Sequence, residues 1–352
     1  MDFKLTEDRQ MLSDTLRRYL ADQYTFDFRN SVIDTAPYHS TEKWAELAEL
    51  GLIGAFVTEE KGGFGGAGFD LTCVFEEVGR GLCVEPLLGA MMSVRATAEC
   101  GAEDLVEAQI GGAQRLVLAV FEPEGEGLDL IRTTATKSGD AWVLNGRKSV
   151  VYGLPGADGV LVAAKTDAGL GLFLTKDAET LDYAMIDGGG AGEVILDNTT
   201  ATCLSEDATA IIEAALDAGR LALCAEAVGV MQVLTDMTVD YLRQRKQFGR
   251  PIASFQALQH RTVDMAIEIE QCRAITILAA SKLETAEAGK YVAMAKNLIG
   301  RTANLIAEEA IQLHGGIGMT WEYPGSHYAK RLSMIDHQLG DRYAQLYRLM
   351  AA

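Results

Sequence analysis

Three groups of residues in this chain have the types and spacing for chemistry. Gly63-Phe64-Gly65-Gly66-Ala67-Gly68 satisfies GxGxxG, the pattern that brings a strand–turn–helix up to a dinucleotide pyrophosphate. Arg243, Arg245, Lys246 and Arg250 crowd into the run Tyr241–Ile252, where guanidinium groups could hold a phosphate bidentately. His314-Gly315-Gly316 offers two glycines, the residue type that lets a backbone come close to a bound group. Other chemistries have little to stand on. The six cysteines, Cys73, Cys83, Cys100, Cys203, Cys224 and Cys272, form no CxxC pair. The five histidines include no two at ligand spacing, so no metal site is expected. The cysteines read as reduced, mostly buried thiols in a cytoplasm.

Charge and hydropathy narrow the class. Lys plus Arg is 31 and Asp plus Glu is 50, so the net charge is 31 − 50 = −19. That argues against a nucleic-acid partner, which needs a local surplus of cations. No run of eighteen apolar residues is present, so no membrane span is expected. Met1-Asp2-Phe3-Lys4-Leu5 lacks the basic and apolar regions of a secretory signal, and a cytoplasmic protein is expected. At 352 residues, the chain is long enough for two or three domains.

The elements that must position these groups change period twice. Residues 1–112 read as an N-terminal helical domain, with Thr6 as an N-cap and Met11, Leu12, Leu16, Tyr19 and Leu20 at helical spacing. Residues 113–204 read as a middle β domain of short strands: Arg115–Phe121, Ala141–Leu144, Val160–Lys165 and Leu170–Thr175. Asp140–Leu144 leads into Asn145-Gly146, a strong hairpin signal. Strands without helices between them predict an antiparallel sheet or barrel. Residues 205–352 read as a C-terminal helical bundle. Ser205 is expected to cap a helix without proline from Ala208 to Gln247, followed by helical segments over Leu258–Ala286 and Lys290–Leu313. The fold class is therefore mainly α with a central antiparallel β domain. Against that frame the GxGxxG run reads as a turn, because the next ~100 residues lack the alternating strands and helices of a dinucleotide fold. A nicotinamide-dependent dehydrogenase is correspondingly disfavoured.

The runs Tyr241–Ile252, Phe255–His260, Gln312–Met319 and Glu322-Tyr323-Pro324 together resemble the acyl-CoA dehydrogenase family. The resemblance extends over the whole chain through Leu47–Ala55, Glu59–Gly66, Glu76–Arg80, Glu85-Pro86 and Trp142–Lys148. The length and the run Leu223–Gly229 are most similar to small subunits of bacterial heteromeric enzymes of the pimeloyl-CoA and steroid side-chain type.

The resemblance implies an N-terminal helical domain, a β-barrel-like middle domain and a C-terminal four-helix bundle. It also implies FAD, an acyl-CoA substrate and an electron-transfer flavoprotein as partner. The FAD of this family is shared across a dimer. Arg245 matches the pyrophosphate contact, and Gln247, Phe248 and Gln256 lie where the neighbour's FAD is met. Gln312, Leu313, Gly315 and Gly316 match the close-approach turn. The flavin-ring positions depart from the family. Phe121 precedes Glu122-Pro123-Glu124 where a small hydroxyl residue is usual, and Val150 and Tyr152 replace a Trp and a Ser or Thr. The two family positions of the catalytic carboxylate fall on Leu339 and Gly219, neither of which can take a proton. Asp336, three residues before Leu339, is a weak candidate base, and otherwise a structural carboxylate. Arg220 is either substrate-side or a brace between helices. These matches imply the small subunit of an α2β2 acyl-CoA dehydrogenase with a larger partner subunit, active in steroid or fatty-acid degradation. The alternatives are a homo-oligomer using Asp336 and a flavin-free acyl-CoA-binding or scaffold paralogue.

Overall fold

The computed structural model describes residues 5–139 and 141–351. Met1–Lys4, which carry most of the N-terminal signal reading, and Asp140, which opens the hairpin run, lie outside the described residues. Six helices come first: α1 (Glu7–Gln23), α2 (Phe26–Val32), α3 (Thr41–Glu49), α4 (Gly68–Arg80), α5 (Leu87–Glu99) and α6 (Glu103–Ile110). Seven strands follow: β1 (Leu116–Ala119), β2 (Thr134–Ser138), β3 (Ala141–Tyr152), β4 (Gly159–Lys165), β5 (Leu170–Thr175), β6 (Glu179–Ala184) and β7 (Gly190–Ser205). The rest is α7 (Thr209–Gln244), a small hairpin of β8 (Lys246–Gln247) and β9 (Arg250–Pro251), then α8 (Gln256–Ala280), α9 (Ala288–His314), α10 (Pro324–His337) and α11 (Arg342–Ala351). Helices, a central sheet and helices again is the order that the resemblance implies.

The chain divides into two compact units. One comprises Met1–Phe26, Gly68–Cys83 and Arg220–Ala352; the other comprises Asp27–Ala67 and Val84–Gly219. In the first unit, Thr6 caps α1 as expected, its hydroxyl accepting from the Arg9 amide at 3.4 Å. Helices α4 and α7 cross with their backbones touching. A Cβ on Gly79 would run into the Glu226 carbonyl, and one on Gly229 into the Glu76 carbonyl. Two glycines, one from each helix, thus set the closest approach. Beside this crossing Glu226 of α7 takes a bidentate ion pair from Arg331 of α10, at 2.5 and 2.7 Å. Helix α9 is the centre of the bundle, packing on α8, α10 and α11.

The second unit is built on the sheet, in the order β1-β4-β2-β3-β7-β5, with β6 on β7. Most pairs are antiparallel, but β1 pairs with β4 in parallel, so the sheet is mixed. Val117, Leu144, Val162 and Phe173 fill its core, and the rings of Trp142 and Phe173 meet at 5.1 Å. Two local expectations are corrected. Asn145-Gly146 makes no hairpin turn: β3 runs straight through it, and Gly146, at φ 148°, lies opposite a bulge in β7, where Asn198 has φ 51°. Asn145 Oδ1 instead accepts the Asn198 amide of β7 at 2.9 Å. Ser205 ends β7 rather than capping α7, and Asp207 Oδ1 accepts the Thr209 amide at 3.4 Å.

Among the described residues, α7 alone is long and apolar enough to cross a membrane. Yet 72% of its most apolar window is buried within the protein, as in a core helix.

Candidate functional site

In the first unit the basic run is carried by the end of α7. The Arg245 amide closes the last helical turn on the Tyr241 carbonyl at 2.8 Å. The chain then enters the β8–β9 hairpin, where Lys246 faces Pro251 and Gln247 faces Arg250. Its two-residue turn places Phe248 at φ 53° and Gly249 at φ 78°. Positive φ at both positions is the twist a tight hairpin requires, but for a bulky residue it is strained. Phe248 is nevertheless 89% exposed, with one ring neighbour, Phe255, at 6.0 Å edge-on. The Arg250 guanidinium lies 4.2 Å from the Phe255 ring centre. Arg245 is exposed and has no ion-pair partner among the described residues, and Gln256 is exposed at the start of α8.

At the end of α9, Gln312 is exposed while Leu313 is buried, leaving its backbone as the part on offer. Gly315 has φ 66° and ψ −144°, open to glycine alone, and a Cβ on Gly315 or Gly316 would meet nothing within 4 Å. The next turn, Gly315–Met319, exposes Ile317 and Met319. His314 was passed over in the sequence because its neighbours were glycines. It is buried, with Nδ1 2.8 Å from the Ala310 carbonyl and Nε2 2.7 Å from the Tyr323 hydroxyl.

The Leu339 position is held by side chains from several helices of the first unit. Gly219 precedes Arg220 in α7, and Arg220 Nε donates to the Leu339 carbonyl at 2.8 Å. Leu339 is 1% exposed at φ 58°. Gln345 Nε2 donates to the carbonyls of Leu339 and Gly340, both at 3.2 Å. The wholly buried Lys296 ammonium donates to the carbonyls of Ile335, Asp336 and Gly340, at 2.7, 3.0 and 3.2 Å. Three side chains therefore over-determine a strained, apolar position. Asp336 does not face open space. Its Oδ1 accepts the Arg342 amide at 3.1 Å and its Oδ2 accepts from Asn304 at 2.9 Å, against Gly300 of α9.

In the second unit, Phe121 is buried and its carbonyl accepts the Ser149 amide at 2.9 Å. Lys148 is wholly buried, donating to the Val120 carbonyl and to Glu122 Oε1, both at 2.8 Å. Burial pushes the Lys148 ammonium down to about 8 while Glu122 opposes the fall. Burial works against the Glu122 carboxylate, but hydrogen bonds from Lys148 and Thr133 hold its pKa below the ordinary value. Beyond Lys148 the strand bulges, and Val150 sits exposed at φ 51°. Glu193 organises the bulge, accepting from Ser149 Oγ at 2.9 Å, Arg147 Nε at 3.1 Å and the Tyr183 hydroxyl at 3.1 Å. The Tyr152 carbonyl lies over Gly89 of α5.

The GxGxxG run also lies in this unit, up to Ala67. Its amides are consumed: Phe64, Gly65 and Gly66 donate to the carbonyls of Gly54, Val57 and Ala55, at 3.1, 2.9 and 2.9 Å. Arg95 clamps the Gly66 and Phe56 carbonyls, at 2.7 and 3.1 Å. No row of free N–H groups is left for a phosphate. All six cysteines are free thiols, and no cluster of metal-ligating side chains occurs among the described residues.

Two family models match, the acyl-CoA dehydrogenase N-terminal domain over residues 6–108 and its C-terminal domain over residues 209–339. The chain is 31% identical over 346 residues to the 3-(aryl)acrylate reductase of Clostridium sporogenes, covering 90% of this chain and 91% of that protein. Among solved structures it is similar to a variant of the Tcur3481-Tcur3483 steroid ACAD. There the identity is 32%, the coverage 98% of this chain and 97% of that one, and the TM-score 0.89. It is also similar to the ChsE4-ChsE5 complex from Mycobacterium tuberculosis, at 25% identity, 100% and 98% coverage and a TM-score of 0.92. The chain belongs to the acyl-CoA dehydrogenase family, FAD flavoproteins that oxidise CH–CH bonds.

Proposed function

We propose that this chain is the small, non-base-bearing subunit of a heterotetrameric acyl-CoA dehydrogenase. It furnishes the ADP side of an FAD site that a larger homologous subunit completes. In this reading the chain has three parts, residues 1–112, 113–204 and 205–352, and works in the cytoplasm on a steroid- or fatty-acid-derived acyl-CoA. Electrons leave to an electron-transfer flavoprotein. The two-protein composition of the ChsE4-ChsE5 relative and the steroid ACAD likeness support the choice of assembly and substrate class.

The observation that carries the reading is a contrast within one unit. Apart from the buried Leu313, the residues matched to the ADP side stand exposed and, among the described residues, unpaired with carboxylates, whereas the position matched to the base is a Leu that is 1% exposed. The ADP end of FAD fits the residues present. The Arg245 guanidinium can take two diphosphate oxygens at once, and the open Gly315–Gly316 backbone admits a bound group without a Cβ in the way. Gln247, Gln256 and Gln312 supply amide donors and acceptors around it, Leu313 a backbone contact and Phe248 an aromatic face. FAD, when bound, supplies the two-electron acceptor for oxidation of the acyl CH–CH bond. What this chain does is hold and orient: it fixes one end of the cofactor and presents an apolar rim to its partner. Removal of the substrate's α-proton falls to the larger subunit, because neither Leu339 nor Gly219 has a group that titrates.

The test is Arg245→Ala in the assembled enzyme. FAD retention is expected to fall by roughly ten- to a hundredfold, as for loss of a charge-assisted bidentate contact of ~1.5–3 kcal/mol. Unchanged FAD occupancy would remove the ADP-side assignment.

A further inference from the structure

We propose that His314 is the positioning residue of this chain's ADP-side surface: one buried, neutral imidazole ties the Arg245 end of α7, the Gly315–Gly316 turn and the start of α10 into one geometry. The inference rests on the ADP-side reading given above and adds a residue that the motif matches did not include.

The tautomer follows from the partners. A carbonyl can only accept, so Nδ1, 2.8 Å from the Ala310 carbonyl, carries the proton. In the neutral ring Nε2 is the lone pair, and the Tyr323 hydroxyl, 2.7 Å away, donates to it. Burial holds the His314 pKa below its ordinary value, against the pull of the Ala310 and Met237 carbonyls. The ring also lies between two phenols. The Tyr241 ring is 4.7 Å away at 34° and the Tyr323 ring 4.9 Å away at 51°. These two phenols are the titratable groups that face it.

Each partner governs a different part of the surface. The Tyr241 carbonyl receives the Arg245 amide at 2.8 Å, and the Arg245 carbonyl receives the Ile252 amide at 2.8 Å, closing the hairpin that carries Phe248. Tyr323 stands where the glycine turn enters α10; its carbonyl accepts the Ser326 hydroxyl at 2.9 Å, and the same hydroxyl reaches the Thr320 carbonyl at 2.8 Å. His314 itself is the last residue of α9, with Gln312 and Gly316 within two residues of it. The far end of the turn returns to it as well, since a Cβ on Gly318 would press on the His314 Cβ at 2.9 Å. The turn between is open on the other side and has little packing of its own. Its shape therefore depends on its two anchored ends, and both anchors involve His314.

The experiment compares wild type, His314→Phe, Tyr323→Phe and His314→Gln as the full chain with whatever subunit co-purifies. It reads amide hydrogen exchange by segment and, on flavin-stripped protein, the affinity for ADP. His314→Phe keeps a ring between the tyrosines but loses both hydrogen bonds; Tyr323→Phe removes a single hydroxyl and is the gentler variant. Both are expected to speed exchange over residues 245–252 and 315–319 by roughly three- to tenfold, the equivalent of one lost buried hydrogen bond. ADP affinity is expected to fall by a similar factor, with residues 295–307 of α9 unchanged. His314→Gln, whose amide oxygen can accept from Tyr323, is expected to restore most of both. Wild-type exchange and ADP affinity in His314→Phe and Tyr323→Phe, beside weakened ADP binding in Arg245→Ala, would overturn the role of His314 and leave the ADP-side reading standing. Full ADP affinity in Arg245→Ala would instead overturn the reading on which the inference rests.

Discussion

The two oxygens of Asp336 each already have a donor, one from the Arg342 amide that starts α11 and one from Asn304 of α9. An amide at this position keeps one acceptor and turns a donor toward a donor. Asp336→Asn is therefore expected to lower unfolding free energy by about 1–3 kcal/mol, measured by denaturant titration, while turnover of the assembled enzyme stays within a few-fold of wild type. A loss of several orders of magnitude in rate would return the base to this residue. His39 shows a second residue-scale consequence. Burial lowers its pKa to about 4, and the nearby Arg115 charge adds to the effect, against the Pro37 carbonyl. Unfolded, the same ring titrates near 6.5. Between those values the unfolded chain binds the extra proton, so stability falls as pH falls from ~6.5 to ~4, by roughly 2–3 kcal/mol in all. His39→Asn should flatten that slope in pH-dependent thermal melts; an unaltered slope would assign it to other groups. At this scale the sequence was readable where a residue type has one use. Thr6 before Glu7-Asp8 could hardly be anything but a cap. It was ambiguous where a type has two: a glycine such as Gly146 serves inside a strand, opposite a bulge, as well as in a turn, and His314 disappears among glycines until Tyr241 and Tyr323 are seen around it.

Helix crossings depend on what the contact residues lack. Gly79 of α4 and Gly229 of α7 each lie against a carbonyl of the other helix, too close to leave room for a methyl group. Gly79→Ala would gain ~0.5–1 kcal/mol of helix propensity and lose more to the forced separation, for a net destabilisation of about 1–3 kcal/mol. Circular-dichroism melts would show it as a drop in Tm; a Tm raised by the substitution would mean that the crossing can open without cost. The long helices α7, α8 and α9 were legible from proline-free apolar runs, and β4 and β5 from short apolar runs between turns. The parallel β1–β4 pairing was not, because pairing partners far apart in sequence leave no trace in local periodicity. The GxGxxG run illustrates the same limit from the other side: its glycines are there so that backbone can pack on backbone, and the amides a phosphate would need are already bonded.

For the molecule as a whole, the proposed assembly gives the exposed features of the first unit one use. Phe248 projects at a strained φ, Met319 and Ile317 line the open turn, and Arg245 has no carboxylate to pair with among the described residues. In the proposed assembly a partner subunit and the shared cofactor cover all of them, and the motifs of this chain would then account for one half of the site. The net charge of −19 gives no general attraction for CoA phosphates, so local cations or the partner must supply it. The most direct measurement is the flavin-to-chain ratio, with native mass, of this protein purified alone and together with its candidate large subunit. The account predicts flavin in the mixed complex only, at less than one per chain. One FAD per chain in a homo-oligomer would contradict it, and would mean that this chain builds a complete site around Phe121, Val150 and Tyr152 and carries its own base.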